Sequence, residues 1–418
     1  VRLARAALVL VTLAVAGRAE PARARVSERL LAVHQPDVTL AFTASPDVRR
    51  LAWLELADAR YRVVLDGRAI ASWPRAAALT FSPDGQHLAY IARLDPTPDA
   101  SVEYTVVVDG REHGRYISVQ APVLDLEARN VGFTAQERYG PTVAVVNGVA
   151  QSDNDTAVTG TVRVSRSGGR FAYVERNDAR MRVVADGVPH PWYDFVSPAS
   201  LTFSPDGRHL GYVAGNSFPL FILDGSAVGE SEAALSLAFD SAGSAVAWTI
   251  NDGLRWRLRA RYPGRVIDRE LEEVPLSLLF SPGGEHLAMT LRRPLGTTLV
   301  TLDDSVVAEP DGAKGLCFSA DGKTLAWAEA VKGGWRIVAG GRASQRFADV
   351  WFLTLSPDGK HYACVVRAKR RFDVVFDGEA VGRYDDLVSG FAFEPGGELR
   401  FMARRRDRYL LVSVSPAQ

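Results

Sequence analysis

Two different turns recur in the same order along most of this chain, and that repeat limits its fold more than any other feature. In the clearest copy, Leu201-Thr202-Phe203 runs into Ser204-Pro205-Asp206-Gly207 and leaves through Leu210-Gly211-Tyr212-Val213. Then Leu220-Phe221-Ile222-Leu223 stops at Asp224-Gly225. In the first turn Pro sets φ, Asp bonds its own backbone and Gly accepts a positive φ. The Asp-Gly pair that follows is a strong hairpin signal. One copy therefore supplies three strands, and the residues after Asp-Gly supply a fourth. A single four-stranded sheet cannot bury both its faces, so it needs neighbours of its own kind.

The chain provides them. The position of Gly207 recurs at Val48, Gly85, Ala128, Gly168, Gly243, Gly284, Gly322, Gly359 and Gly397, with separations of about 36 to 43 residues, the period of a propeller blade. The following strand repeats as Leu51-Ala52-Trp53, Leu88-Ala89-Tyr90, Phe171-Ala172-Tyr173, Val246-Ala247-Trp248 and Leu287-Ala288-Met289. On a period-2 strand the large residues share one face, and the small residue faces a close neighbour. The second turn recurs as Asp66-Gly67, Asp109-Gly110, Asn147-Gly148, Asp186-Gly187, Gly340-Gly341 and Asp377-Gly378. Blades six and seven depart from it with Pro263-Gly264 and Asp303-Asp304. Blade three is the most degenerate, with Leu126-Glu127-Ala128-Arg129-Asn130 in place of the first turn.

The repeat implies an all-β chain, a β-propeller of about ten four-stranded blades; two smaller propellers are the alternative. Propellers typically have four to eight blades. The last unit ends after its third strand, Tyr409 to Val414, while a spare apolar run, Leu30 to Val33, precedes the first unit. That run is expected to complete the last blade and close the ring. Before it, Arg2 and Arg5 precede an apolar stretch from Ala6 to Ala16, too short to span a membrane and patterned like a secretory signal. Residues 1–24 are accordingly read as a signal peptide and residues 25–418 as the propeller. No transmembrane span is expected in the mature chain, and its location is expected to be periplasmic or secreted.

Phe81-Ser82-Pro83-Asp84-Gly85 with Leu88-Ala89-Tyr90, the stretch from Phe203 to Tyr212, and Leu355-Ser356-Pro357-Asp358-Gly359 resemble the WD40-like (PD40) repeats of the TolB propeller and its relatives. The resemblance covers about residues 38 to 418. It implies a propeller and, for the nearest relatives, a bacterial envelope protein that binds partners. It does not specify a partner, because the motif is architectural. The sequence shows no sign of the separate N-terminal domain of TolB, and no Gly-x-Ser-x-Gly elbow of a hydrolase is found.

Residues with chemical potential mostly follow the repeat. His87, His209, His286 and His361 share one repeat position, on four different blades, so they cannot converge on a metal. His113 and His190 follow the second turn, and His34 belongs to the proposed closing run. Asp84, Asp206, Asp321 and Asp358 are turn formers. The carboxylate pairs Asp385-Asp386 and Glu272-Glu273 lie in connectors, where a glycosidase would need two carboxylates facing a cleft. Cys317 and Cys364 sit in apolar runs and are expected to be buried and reduced. No catalytic residue, metal or cofactor is expected.

Charge is uneven, although the net charge is zero, which gives no reason to expect nucleic acid. Both named turns lie on one face of the ring. On the other face, the loops of blades six to ten are basic: Arg255, Arg257, Arg292, Arg293, Lys369, Arg370, Arg371, Arg404, Arg405 and Arg406. Nearby acids, among them Asp268, Glu270, Glu273, Glu309 and Asp385, are read as connector residues on that same face. The basic arc is available to an anionic partner only if those acids lie more than a Debye length away, about 8 Å at physiological salt. The function expected from sequence is a non-enzymatic protein- or polymer-binding scaffold whose partner is an unidentified protein or an anionic envelope polymer. A carbohydrate-active propeller enzyme and a structural envelope protein are the alternatives.

Overall fold

A computed structural model describes residues 24–33, 38–96, 102–151, 155–230, 233–251, 253, 255–294, 296–368 and 371–417. The proposed signal segment falls almost wholly outside these residues. The described chain is all-β and forms ten sheets. Blades one to nine span residues 39–73, 75–116, 118–150, 156–189, 195–230, 233–271, 274–308, 313–347 and 351–384. Blade ten combines residues 386–415 with the N-terminal strand Arg25–Val33. Each sheet is an antiparallel meander running from the ring's inner edge to its outer edge. The inner strands of blades three, four and ten are each split into two short pieces.

The turns have the backbone that their sequences require. Asp224 and Gly225 both adopt positive φ, 51° and 79°, the I′ hairpin geometry. Gly207 has φ 75°, and Val48 and Ala128 hold the same left-handed position at 58° and 51°. The repeat therefore survives in blades one and three, where its glycine has been lost.

Packing follows from the alternation of large and small residues in the second strands of blades one to nine. Leu88 and Tyr90 point back into a core shared with blade one, while Ala89, fully buried between them, points forward into the core shared with blade three. Leu210 and Tyr212 likewise face blade four, and Leu287 and Met289 face blade six. The small residue sets the spacing. A Cβ on Gly211 would come within 2.7 Å of Leu237 in the next blade, and one on Gly132 within 2.6 Å of Val162. Each large residue buried in this way contributes about 1.5–3 kcal/mol.

The described residues form ten such cores, one for each pair of neighbouring blades, including a pair formed by blade ten and blade one. That last core joins Met402 and Leu411 to Val48, Leu51, Trp53 and Phe42. Ten interfaces for ten blades make one closed circle, not two smaller rings. The closing strand pairs in register with the last one, Arg25 opposite Ser415 and Leu30 opposite Leu410, with a bulge before Ala32 opposite Tyr409. Glu28 on this strand accepts the Tyr384 hydroxyl at 3.0 Å and the Arg405 guanidinium at 2.7 Å. Without it the strand Arg408–Ser415 would be a long open edge, which is prone to associate. Deleting residues 25–36 is expected to lower the melting temperature and to produce concentration-dependent association in sedimentation runs. A deletion variant that stays monomeric and melts like the parent would show that the strand is not needed for closure.

Candidate functional site

The residues that look most reactive in sequence are tied into the turns. The Ser82 hydroxyl donates to Asp84, and the Ser82 oxygen accepts the His87 amide at 3.0 Å. The His87 ring then reaches Asp109 of the second turn at 2.6 Å, and Asp109 also accepts the Leu88 amide at 3.0 Å. The same clamp appears as His209 with Asp224 at 2.7 Å, His286 with Asp303 at 2.9 Å and His361 with Asp377 at 2.5 Å. Arg50 and Arg170 take the histidine's place in blades one and four, at 3.0 Å from Asp66 and 2.8 Å from Asp186. Asp125 and Asp240 replace the serine in blades three and six and accept the equivalent amides at 3.1 Å and 2.8 Å. These histidines therefore join the two turns of their own blade. His190 contacts the Tyr212 hydroxyl at 2.8 Å, and burial holds both His113 and His190 below the usual imidazole value. His34 lies outside the described residues. No group of three potential metal ligands occurs among the described residues.

The other candidates are equally accounted for. Glu175 and Glu329 are buried, but Arg182 holds the first at 2.9 Å and Arg336 the second at 2.5 Å. Cys317 and Cys364 are free thiols, each pushed up to about 12 by burial. Cys364 is buried as expected; Cys317 is only half-buried, because it lies in an inner strand at the edge of its blade.

The basic arc is largely neutralised. Arg255 and Arg257 meet Glu270, and Arg257 also meets Asp268 at 2.8 Å. Asp268 and Glu270 belong to the outer strand Arg265–Leu271, not to the connector after it, so they lie alongside the arginines. Arg293 lies 2.9 Å from Glu309 and 3.7 Å from Glu273, and Arg371 lies 3.0 Å from Asp385. These acids are in contact with the bases, well inside a Debye length of about 8 Å. Arg292 is exposed and unpaired among the described residues, while Lys369 and Arg370 lie outside them.

Blade ten keeps the most open positive charge. Arg371, Arg383, Arg405, Arg406 and Arg408 line a recess of about 490 Å³ together with Asp385 and Asp407. Arg383 is fixed on Asp373 at 2.6 Å, and Arg405 lies on Glu28, with its guanidinium 4.7 Å from the Tyr384 ring. The Arg404 guanidinium donates to the Arg406 carbonyl at 3.2 Å. The Arg406 amide donates to Asp385 at 2.6 Å and, with Arg371 and Arg404 close by, holds that carboxyl below its usual range despite partial desolvation. The Arg406 and Arg408 side chains are exposed and have no acid partner among the described residues. Of the arginines lining the recess, the sequence points to Arg371, Arg405 and Arg406 but not to Arg383 and Arg408, which reach it from flanking strands.

A second concavity was not anticipated. Phe42, Trp351, Phe352, Phe372 and Phe391 line a cavity of about 760 Å³ at the ring's inner wall, where blades nine, ten and one meet. The consecutive pair Trp351-Phe352, which interrupts the alternation of an inner strand, was its one available signal.

No family model matches the sequence, and no curated protein matches it. Solved structures similar to the chain include a eukaryotic initiation factor, at 11% identity over 84% of this chain and 88% of that one, with a TM-score of 0.49. They also include TolB from Acinetobacter baumannii, at 14% identity over 69% and 77%, with a TM-score of 0.30. A third is the β-propeller domain of Cps50 (Swd1) from Myceliophteria thermophila, at 11% identity over 67% and 100%, with a TM-score of 0.28. The chain is a β-propeller, and propellers of the WD40 and TolB types are among its structural neighbours.

The turn clamps generate a pH prediction. Burial opposes ionisation of Asp84 and Asp206, but serine hydroxyls and turn amides outweigh it and hold both carboxyls below their ordinary value of 3.8. Asp321 and Asp358 are lowered first by Ser319 and Ser356. A carboxyl depressed in the folded state adds stability above its unfolded pKa and loses it as pH falls through the folded value. Calorimetric melting temperatures should therefore fall steeply below about pH 4. The combined variant D84N/D206N/D321N/D358N should start lower and fall less; parallel curves would assign the acid sensitivity to other groups.

Proposed function

We propose that this chain is a non-enzymatic binding scaffold of a bacterial envelope, periplasmic or secreted, that holds an acidic protein or polymer at the arginine recess of blades nine and ten. The observation that carries this reading is the pair of exposed side chains, Arg406 and Arg408, without acid partners among the described residues, in a recess lined by five arginines and two aspartates. The neighbouring arginines are already oriented by Asp373, Asp385 and Glu28. Arg presents a planar fork suited to carboxylates and phosphates. A purely structural protein has no need of a concave charged face. For a carbohydrate-active enzyme, the aromatic cavity offers a single lining carboxylate, Asp386, where a glycosidase uses two. The apolar stretch from Ala6 to Ala16 supports export.

The variant R404Q/R406Q/R408Q should elute earlier than the parent from an immobilised polyanion such as polyglutamate. The difference should be several-fold in retention at about 0.01 M salt, where the Debye length is about 30 Å, and should vanish near 1 M, where it is about 3 Å. Identical elution of parent and variant across the salt series would reduce the recess to a solvated surface.

A further inference from the structure

The seam between blades ten and one is built differently from the other nine interfaces. Elsewhere the second strand turns a small residue toward the next blade, and the sheets close on it. In blade ten that position is Arg400, which is held by Glu394 at 2.9 Å and Glu398 at 3.0 Å. Glu394 also reaches across to Arg49 of blade one at 3.2 Å. The blade's inner strand is also split, as in blades three and four, into Asp386–Leu387 and Ala392–Phe393. Between them the Ser389 hydroxyl accepts the Met402 amide at 2.8 Å. The cavity of about 760 Å³ lies along this interrupted wall, within the size range of small-molecule sites.

Its apolar side is preorganised. The Lys314 ammonium sits 5.2 Å from the Trp351 ring, 4.1 Å from the Trp335 ring and 2.6 Å from Asp349, which fixes Trp351 in place. The inner strand slips register between Trp351 and Thr354, and Phe352 takes φ 50°. Left-handed backbone is uncommon for a bulky residue and clusters at functional positions. Phe352 remains 72% exposed and Trp351 49%. Large aromatic rings standing in solvent on an inner wall gain from an apolar occupant.

The polar side is selective. Arg367 lines the cavity, is exposed, and makes no hydrogen bond or ion pair among the described residues. Asp386 also lines it, but its carboxylate accepts the Leu387 amide at 2.9 Å, and it stands opposite Arg404 across the sheet. Arg367 is therefore the one lining cation of the cavity, and no acid among the described residues is paired with it.

We propose that the seam cavity binds a small amphipathic carboxylate, its aromatic or aliphatic body against Phe42, Trp351, Phe352 and Phe391 and its carboxylate on Arg367. This site shares no lining residue with the arginine recess and does not depend on the scaffold reading. The test is titration calorimetry of the full chain with 3-phenylpropionate and with 3-phenylpropionamide, which differ only in the head group. The carboxylate should bind at least about tenfold more tightly, the scale of one charge-assisted contact. R367Q should abolish that preference while leaving the melting temperature unchanged, because Arg367 supports no other residue. F352A should weaken both probes and keep their ratio. R406Q/R408Q should leave both affinities unchanged, so failure of the recess would not touch this site. Equal affinities for the two probes in the parent, or no heat from either at millimolar concentration, would overturn the proposal.

Discussion

No blade in this chain can bury its own two faces, so every sheet depends on the two beside it. The small residue in the second strands of blades one to nine makes that mutual cover possible. Ala52, Ala89, Ala172, Ala247 and Ala288 are all fully buried, each facing the next blade. Overfilling a packed core costs about 1–3 kcal/mol per site, so enlarging any one of them would push two blades apart. In a closed ring that strain has no free end at which to relax. The same dependence explains the strand Arg25–Val33, which supplies the outer strand that blade ten lacks.

The turns serve the same end. A serine or aspartate at the first turn ties down the start of the second strand, and a histidine or arginine links it to the aspartate of the second turn. Paired His and Asp side chains at 2.5–2.9 Å would suggest catalysis if one copy stood alone. Their repetition in blades two, five, seven and nine, with arginine in the histidine's place in blades one and four, identifies them as parts of the turn. Chemistry specific to this chain is better sought where the repeat breaks, as it does in blade ten, where Arg400 replaces the small residue of the second strand.

Architecture was legible in the sequence because it rests on local signals. Val48 and Ala128 could be aligned with Gly207 from spacing alone, and both take the left-handed backbone of that glycine. The closing strand could be inferred from one missing strand and one spare. The single ring could not be separated from two smaller ones, because that depends on which blade packs against blade one. Charge was misjudged for a related reason: Asp268 and Glu270 extend an outer strand, and strand registry brings them onto Arg257 and Arg255. The aromatic cavity was invisible because its rings come from positions between Phe42 and Phe391 and converge only when the ring closes.

The central claim is one circle of ten blades, closed between blade ten and blade one. Spin labels on exposed outer-edge positions test it directly: Arg68 in blade one, Ser226 in blade five and Arg25 in blade ten, in a background with Cys317 and Cys364 replaced by alanine. Pulsed electron resonance should give a short Arg68–Arg25 distance and a long Arg68–Ser226 distance, because blades one and five lie nearly opposite in a ring of ten. A short Arg68–Ser226 distance with a long Arg68–Arg25 distance would mean that blade one closes on blade five, and would contradict the single ring.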